Sequence, residues 1–65
     1  MTTTPEEQCA ELRREIATRR RIYPRWVEDG KLTEGQAAFR LAALEDVLER
    51  LEALSLTHDA QLPLL

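Results

Sequence analysis

The chain has 65 residues with a formal net charge of −3, and 43% of them are hydrophobic while only 5% are aromatic. A domain of about 60 residues buries only about 60% of its unfolded surface, so a monomer of this size is marginally stable. The single cysteine excludes an internal disulfide, and Cys9 with His58 cannot complete a four-ligand zinc site. No apolar run approaches the roughly 18 residues of a membrane span, and the polar start is not a signal peptide. We expect a soluble, cytoplasmic, helix-rich protein without a membrane segment.

The first helix begins after a flexible N-terminus of residues 1–4. Thr4 is suited to the N-cap, Pro5 to the first helical position and Glu7 to the third, which together make a capping box. Apolar residues then recur at spacings of three and four, which is the period of an amphipathic helix. This stripe consists of Cys9, Leu12, Ile16, Tyr23 and Trp26, and only Arg19 interrupts it.

Pro24 lies near the end of this pattern. A proline inside a helix removes a backbone donor and clashes with the carbonyl one turn earlier. We therefore predict a helix over residues 5–23, a kink at Pro24, and a short helical turn over residues 24–29. Gly30 is suited to the left-handed position that ends a helix. The connection that follows is short, so the two helices should form an antiparallel hairpin.

The second helix is predicted over residues 34–54, after a second capping box formed by Thr33 and Gln36. Its apolar residues fall into two neighbouring stripes that together span about 200° of the helix. One partner helix covers roughly half of such an arc, so we expect a second copy of the chain to cover the rest in a four-helix arrangement. The candidate dimer interface is Phe39, Leu44, Val47, Leu48, Leu51 and Leu54.

The remaining residues, 55–65, show no helical period, and Pro63 discourages a helix through the end of the chain. Their leucines are apolar enough to contact another part of the protein. The pattern thus predicts a C-terminal tail that is either disordered or docked on a hairpin.

Arginines are concentrated in residues 13–25, which carry a charge of +5. The cluster has three interpretations: pairing with the acidic second helix, binding of a protein partner, or binding of nucleic acid. A pI near 5.0 argues against a dedicated DNA-binding domain, which typically has a pI above about 9. The candidate partner-binding residues are Arg13, Arg14, Arg20, Arg21, Tyr23 and Arg25.

The side chains that carry chemistry elsewhere do not form a catalytic pattern here. Cys9 occupies a stripe position typical of a small buried hydrophobe, and the only histidine lies in the tail. The two glycines are isolated, so no phosphate-binding loop is present. Trp26 and Tyr23 are expected to fill the closed end of the hairpin against Phe39 and Leu32, Trp26 more so than Tyr23. We predict neither an enzyme nor a cofactor.

Residues 15–33 read EIATRRRIYPRWVEDGKLT. This stretch is similar to the R-R-R-[VI]-Y-P-R-W-V-x-x-G-[KR]-[ML]-T core of a widespread group of small uncharacterised phage and prophage proteins. The resemblance covers about residues 11–54, and the second helix departs from the group at residues 39–41 and at Leu44. It implies a phage-encoded accessory protein of the bacterial cytoplasm that acts through a host or phage protein, with no catalytic residue.

Overall fold

The computed structural model of the protein describes the backbone of residues 1–61 and the side chains of residues 1–56. Two helices, α1 (Pro5–Glu28) and α2 (Glu34–Gln61), pack against each other, and no strand occurs in the described part of the chain. The Cα trace measures 54 × 20 × 17 Å, as expected for two long helices lying side by side. The predicted all-α helical hairpin is confirmed.

Both helices begin at the predicted capping boxes. The backbone N–H of Glu7 donates to the Thr4 hydroxyl at 3.1 Å, while the Glu7 carboxylate accepts from the Thr4 N–H at 2.8 Å. At α2 the N–H of Gln36 donates to the Thr33 hydroxyl at 3.0 Å, and the Gln36 side chain accepts from Thr33 at 2.9 Å. Each box satisfies donors that the first turn of a helix leaves without partners.

α1 does not end at residue 23 as predicted but continues through Pro24 to Glu28. The separate helical turn over residues 24–29 is thus the last turn of α1. Continuing the helix places Tyr23 and Trp26 on the same side of α1 as Ile16, so their packing offsets the one backbone hydrogen bond that proline removes. The Pro24 ring itself is exposed.

The turn between the helices is a Schellman motif. The N–H of Gly30 donates to the carbonyl of Val27 at 3.1 Å, and the N–H of Lys31 donates to the carbonyl of Trp26 at 2.9 Å. Gly30 has a φ of 75°, a left-handed conformation that glycine adopts without steric cost. The predicted role of Gly30 is confirmed, and the motif turns the chain so that Leu32 is buried.

The core lies between the two helices. Within the described residues the buried side chains are Cys9, Ile16, Tyr23 and Leu32. Tyr23 is 2% exposed and stacks at an angle on the half-buried Trp26, with 5.6 Å between the ring centroids. Tyr23 is therefore more deeply buried than Trp26, whereas the sequence analysis expected Trp26 to be the more buried of the two. Phe39 is 73% exposed and does not close the end of the hairpin as expected.

α2 is longer than the sequence pattern indicates. It continues past Leu54 to Gln61, so residues 55–61 are helical. Once α2 lies along α1, each further residue adds a backbone hydrogen bond without the cost of starting a new helix. The expectation for residues 62–65 lies outside the described residues.

The accessible surface of the chain is 5300 Å². A compact monomer of 7.5 kDa exposes about 4,200 Å² according to the scaling of surface with mass. The hairpin thus exposes about 1,000 Å² more than a compact protein of the same mass. Two helices alone do not enclose a full core.

Candidate interaction surfaces

One side of the hairpin carries ion pairs between the helices. Arg13 lies 2.9 Å from Glu52, and Arg20 lies 3.1 Å from Glu45. Between the two pairs runs a shallow cleft with polar walls. We call this side the charged flank; it is formed by Arg13, Ile16, Ala17, Arg20, Glu45, Asp46, Leu48, Glu49 and Glu52.

Two of the predicted partner-binding arginines lie on the charged flank, where they pair with residues of α2. Arg13 and Arg20 reach across to α2, which matches the interpretation in which the basic first helix pairs with the acidic second. All four side chains are about half exposed, and exposed pairs contribute about 0.2–1 kcal/mol each. These pairs set the alignment of the helices more than they stabilise the fold.

Three other arginines lie on the side of α1 that points away from α2. We call Arg14, Arg21 and Arg25 the outer basic face. Arg14 pairs with Glu11 one turn earlier, and Arg25 lies 4.0 Å from Asp29. The side chain of Arg25 is 84% exposed, and Arg21 is exposed with no ion pair among the described residues. The helical period places all three on one side, because their spacings are seven and four residues.

Tyr23, the remaining predicted partner-binding residue, belongs to the core instead. Its hydroxyl accepts a hydrogen bond from the Arg19 guanidinium at 3.2 Å. Arg19 also pairs with Glu15 at 2.7 Å, while its Nε is buried without a hydrogen-bond partner. The hydrogen bond with Tyr23 raises the pKa of Arg19 above its usual value, and the nearby Glu15 carboxylate acts in the same direction. The buried ring of Tyr23 is not accessible to a partner.

The side opposite the charged flank is apolar. The residues of the charged flank show which edge of α1 lies beside which edge of α2. The opposite edge of each helix then follows from the helical period, and these two edges lie together on the reverse side of the hairpin. Phe39, Val47 and Leu54 on this side are 73%, 47% and 57% exposed. We call it the apolar flank; its apolar residues are Leu12, Ile22 and Trp26 of α1 with Phe39, Ala43, Val47, Leu51 and Leu54 of α2, and Glu15, Arg40 and Arg50 lie among them.

The residues of the predicted dimer interface occupy three different positions. Phe39, Val47 and Leu54 are exposed on the apolar flank. Leu44 and Leu51 are half-buried at the edge between that flank and α1. Leu48 is half-buried and lines the cleft of the charged flank, so it lies away from the apolar flank.

Ile22 is the one apolar residue of α1 on the apolar flank that the predicted stripe does not contain. Ile22 and Trp26 are four residues apart and half-buried, beside the buried row of Ile16 and Tyr23. The i, i+4 spacing of Ile22 and Trp26 is the sequence signal that indicates this position.

The described side chains offer no arrangement suited to metal chemistry. No group of three or more His, Cys, Asp or Glu residues among them converges as metal ligands would. Within the same part of the chain, neither helix has an apolar stretch long enough to cross a bilayer. Comparison of the chain with protein-family models, with curated proteins and with solved structures finds no significant match.

Proposed function

We propose that this chain is a non-enzymatic, phage-encoded accessory protein that acts by protein–protein interaction in the cytoplasm of a bacterial host. Two copies associate through the apolar flank into a four-helix arrangement, and the outer basic face binds a host or phage protein. The proposed phage origin rests on the similarity of residues 15–33 to the core of the group of small phage and prophage proteins described above. In the same proposal α1 bends at Pro24, where the ring leaves the carbonyl of Arg20 without its usual donor.

The exposure of the apolar flank carries this proposal. Phe39, Val47 and Leu54 are large apolar side chains that a water-facing helix normally buries, and they lie on one side of α2. The chain also exposes about 1,000 Å² more surface than a compact protein of its mass. A standard interface buries about 800 Å² on each partner, so one further copy is enough to remove the excess.

The outer basic face supplies the second half of the proposal. Its three guanidinium groups point away from the core, and Arg21 has no carboxylate of its own chain among the described residues. Guanidinium groups form paired hydrogen bonds with carboxylates and phosphates. An acidic surface on a partner protein therefore fits this face.

Nucleic acid is the second candidate partner, because phosphates fit the same guanidinium groups. The structure leaves fewer arginines for it than the sequence suggested, since Arg13 and Arg20 pair across the hairpin and Arg19 pairs with Glu15. The acidic residues Glu45, Glu49 and Glu52 of α2 also line the charged flank. Protein binding is accordingly the first proposal.

A matched pair of variants tests the role of the outer basic face. Arg14→Gln/Arg21→Gln removes two outward arginines, while Arg13→Gln/Arg20→Gln removes the same charge from the charged flank. The tagged proteins are incubated with nuclease-treated host lysate, and captured proteins are identified by mass spectrometry. We expect a protein that is captured by the wild type and by the charged-flank variant but lost with the outer-face variant.

Two results would contradict the proposal. Equal loss with both variants would show that net charge, and not the outer face, drives capture. Binding to DNA or RNA in an electrophoretic shift, weakening steeply between low and high salt, would favour the nucleic-acid candidate instead.

A further inference from the structure

The exposed row of α2 contains two arginines, Arg40 beside Phe39 and Arg50 further along the helix. Phe39, Ala43, Val47 and Leu54 follow each other along this row, and Arg50 occupies the position between Val47 and Leu54. Arg50 is exposed and has no ion pair among the described residues. An arginine in an apolar row of a dimerising helix typically pairs with a carboxylate of the partner helix.

The interhelix ion pairs show which residues of α1 and α2 lie at the same height along the hairpin. In both Arg13–Glu52 and Arg20–Glu45 the residue numbers add up to 65. The same relation in this antiparallel pair places Glu15 at the height of Arg50 and Trp26 at the height of Phe39. Each of these pairs joins one residue on the apolar side of α1 to one on the exposed row of α2.

These heights distinguish two ways of placing a second copy on the apolar flank. A twofold axis parallel to the helices preserves height and lays α1 of each copy on α2 of the other. Glu15 then meets Arg50 of the second copy, and Trp26 meets Phe39 of the second copy. A twofold axis across the helices lays α2 on α2 and moves Phe39 to the far end, away from Trp26.

We propose that two copies stack with their interhelix turns at the same end, so that α1 of each packs on α2 of the other. Two features support this arrangement. The Glu15 carboxylate pairs with Arg19 but is 52% exposed, and it can accept from a second guanidinium, that of Arg50 of the second copy. The two aromatics match at the closed end. This arrangement rests on the proposed homodimer. The two outer basic faces then lie at diagonally opposite corners, so a dimer presents two separate sites for the acidic partner.

The distance between the two turns tests the arrangement directly. Lys31 lies in the turn, so a nitroxide label on Lys31→Cys, in a chain with Cys9→Ala, reports one distance per dimer by pulsed electron resonance. Sedimentation of the same labelled protein first establishes that it is dimeric. Stacked helices lie about 8–10 Å apart, so we expect a label distance below about 25 Å.

A dimer with a label distance above about 35 Å would overturn the same-end arrangement, because α1 alone is about 36 Å long. It would leave the proposed homodimer intact. A protein that sediments as a monomer at every concentration, labelled or not, would overturn both.

A second measurement avoids substitution of the buried Cys9. The dimer dissociation constant is measured for Glu15→Gln, Arg50→Gln and the double variant, with Arg21→Gln as the control outside the interface. Two symmetry-related exposed pairs correspond to a coupling of about two- to thirtyfold in Kd. Strictly additive effects of the two substitutions would contradict the pairing.

Discussion

The guanidinium of Arg19 donates a hydrogen bond to the hydroxyl of Tyr23 at 3.2 Å, one helical turn away. This contact explains why a charged residue interrupts the apolar stripe of α1. Tyr23 is the most deeply buried large side chain, and its hydroxyl needs a partner at the edge of the core. Arg19 supplies that partner while its own charge is neutralised by Glu15.

Two substitutions separate the ring of Tyr23 from its hydroxyl. Tyr23→Phe removes one hydrogen bond and should lower the free energy of unfolding by about 0.5–1.5 kcal/mol. Tyr23→Ala removes the ring and should cost about 3–5 kcal/mol. Urea unfolding followed by circular dichroism measures both values. Similar losses for the two variants would show that the ring contributes little to the core.

The two glycines should respond to alanine in opposite directions. Gly30→Ala places a Cβ at a φ of 75° and should destabilise the protein by about 1–2 kcal/mol. Gly35 lies in the first turn of α2, where a Cβ meets nothing closer than 3.9 Å. Gly35→Ala should therefore stabilise by about 0.5–1 kcal/mol. Equal melting temperatures for the two variants would contradict the Schellman turn.

The ion pair between Arg20 and Glu45 should couple the helices weakly. A double-mutant cycle with Arg20→Gln and Glu45→Gln is expected to give about 0.2–1 kcal/mol at low salt and less at high salt. Arg21→Gln is the control, since this neighbouring arginine has no ion pair in the described structure and should leave stability unchanged. A coupling that does not respond to salt would argue against a solvent-exposed pair.

Local signals in the sequence were sufficient to predict the helical hairpin. The two capping boxes and Gly30 are short-range patterns whose hydrogen bonds involve only neighbouring residues, so they could be predicted without the fold. The continuation of α1 through Pro24 could not, because it depends on how Tyr23 and Trp26 pack against the rest of the protein. Propensity indicates where a helix is weak, while packing decides whether it ends there.

The candidate surfaces were predictable only in part for a similar reason. Composition located the arginine cluster, but the assignment of Arg13 and Arg20 to α2, and of Arg14, Arg21 and Arg25 to the outside, requires the alignment of the helices. The arc of α2 was correctly predicted to exceed what one helix covers. Which of its leucines lie on which flank depends on the rotation of α2 about its axis, and that rotation brings Leu48 to the cleft of the charged flank.

The central claim is that the hairpin completes its core with a second copy through the apolar flank. Sedimentation equilibrium of the wild type, Val47→Glu and the control Ala42→Glu tests it most directly, because Ala42 is exposed on a different side of α2. The account predicts a particle of twice the 7.5 kDa chain mass for the wild type and control at micromolar concentration. For Val47→Glu it predicts a Kd at least about tenfold higher, because the substitution places a charge in an apolar interface. A cooperatively folded 7.5 kDa wild-type monomer over the whole concentration range would contradict it.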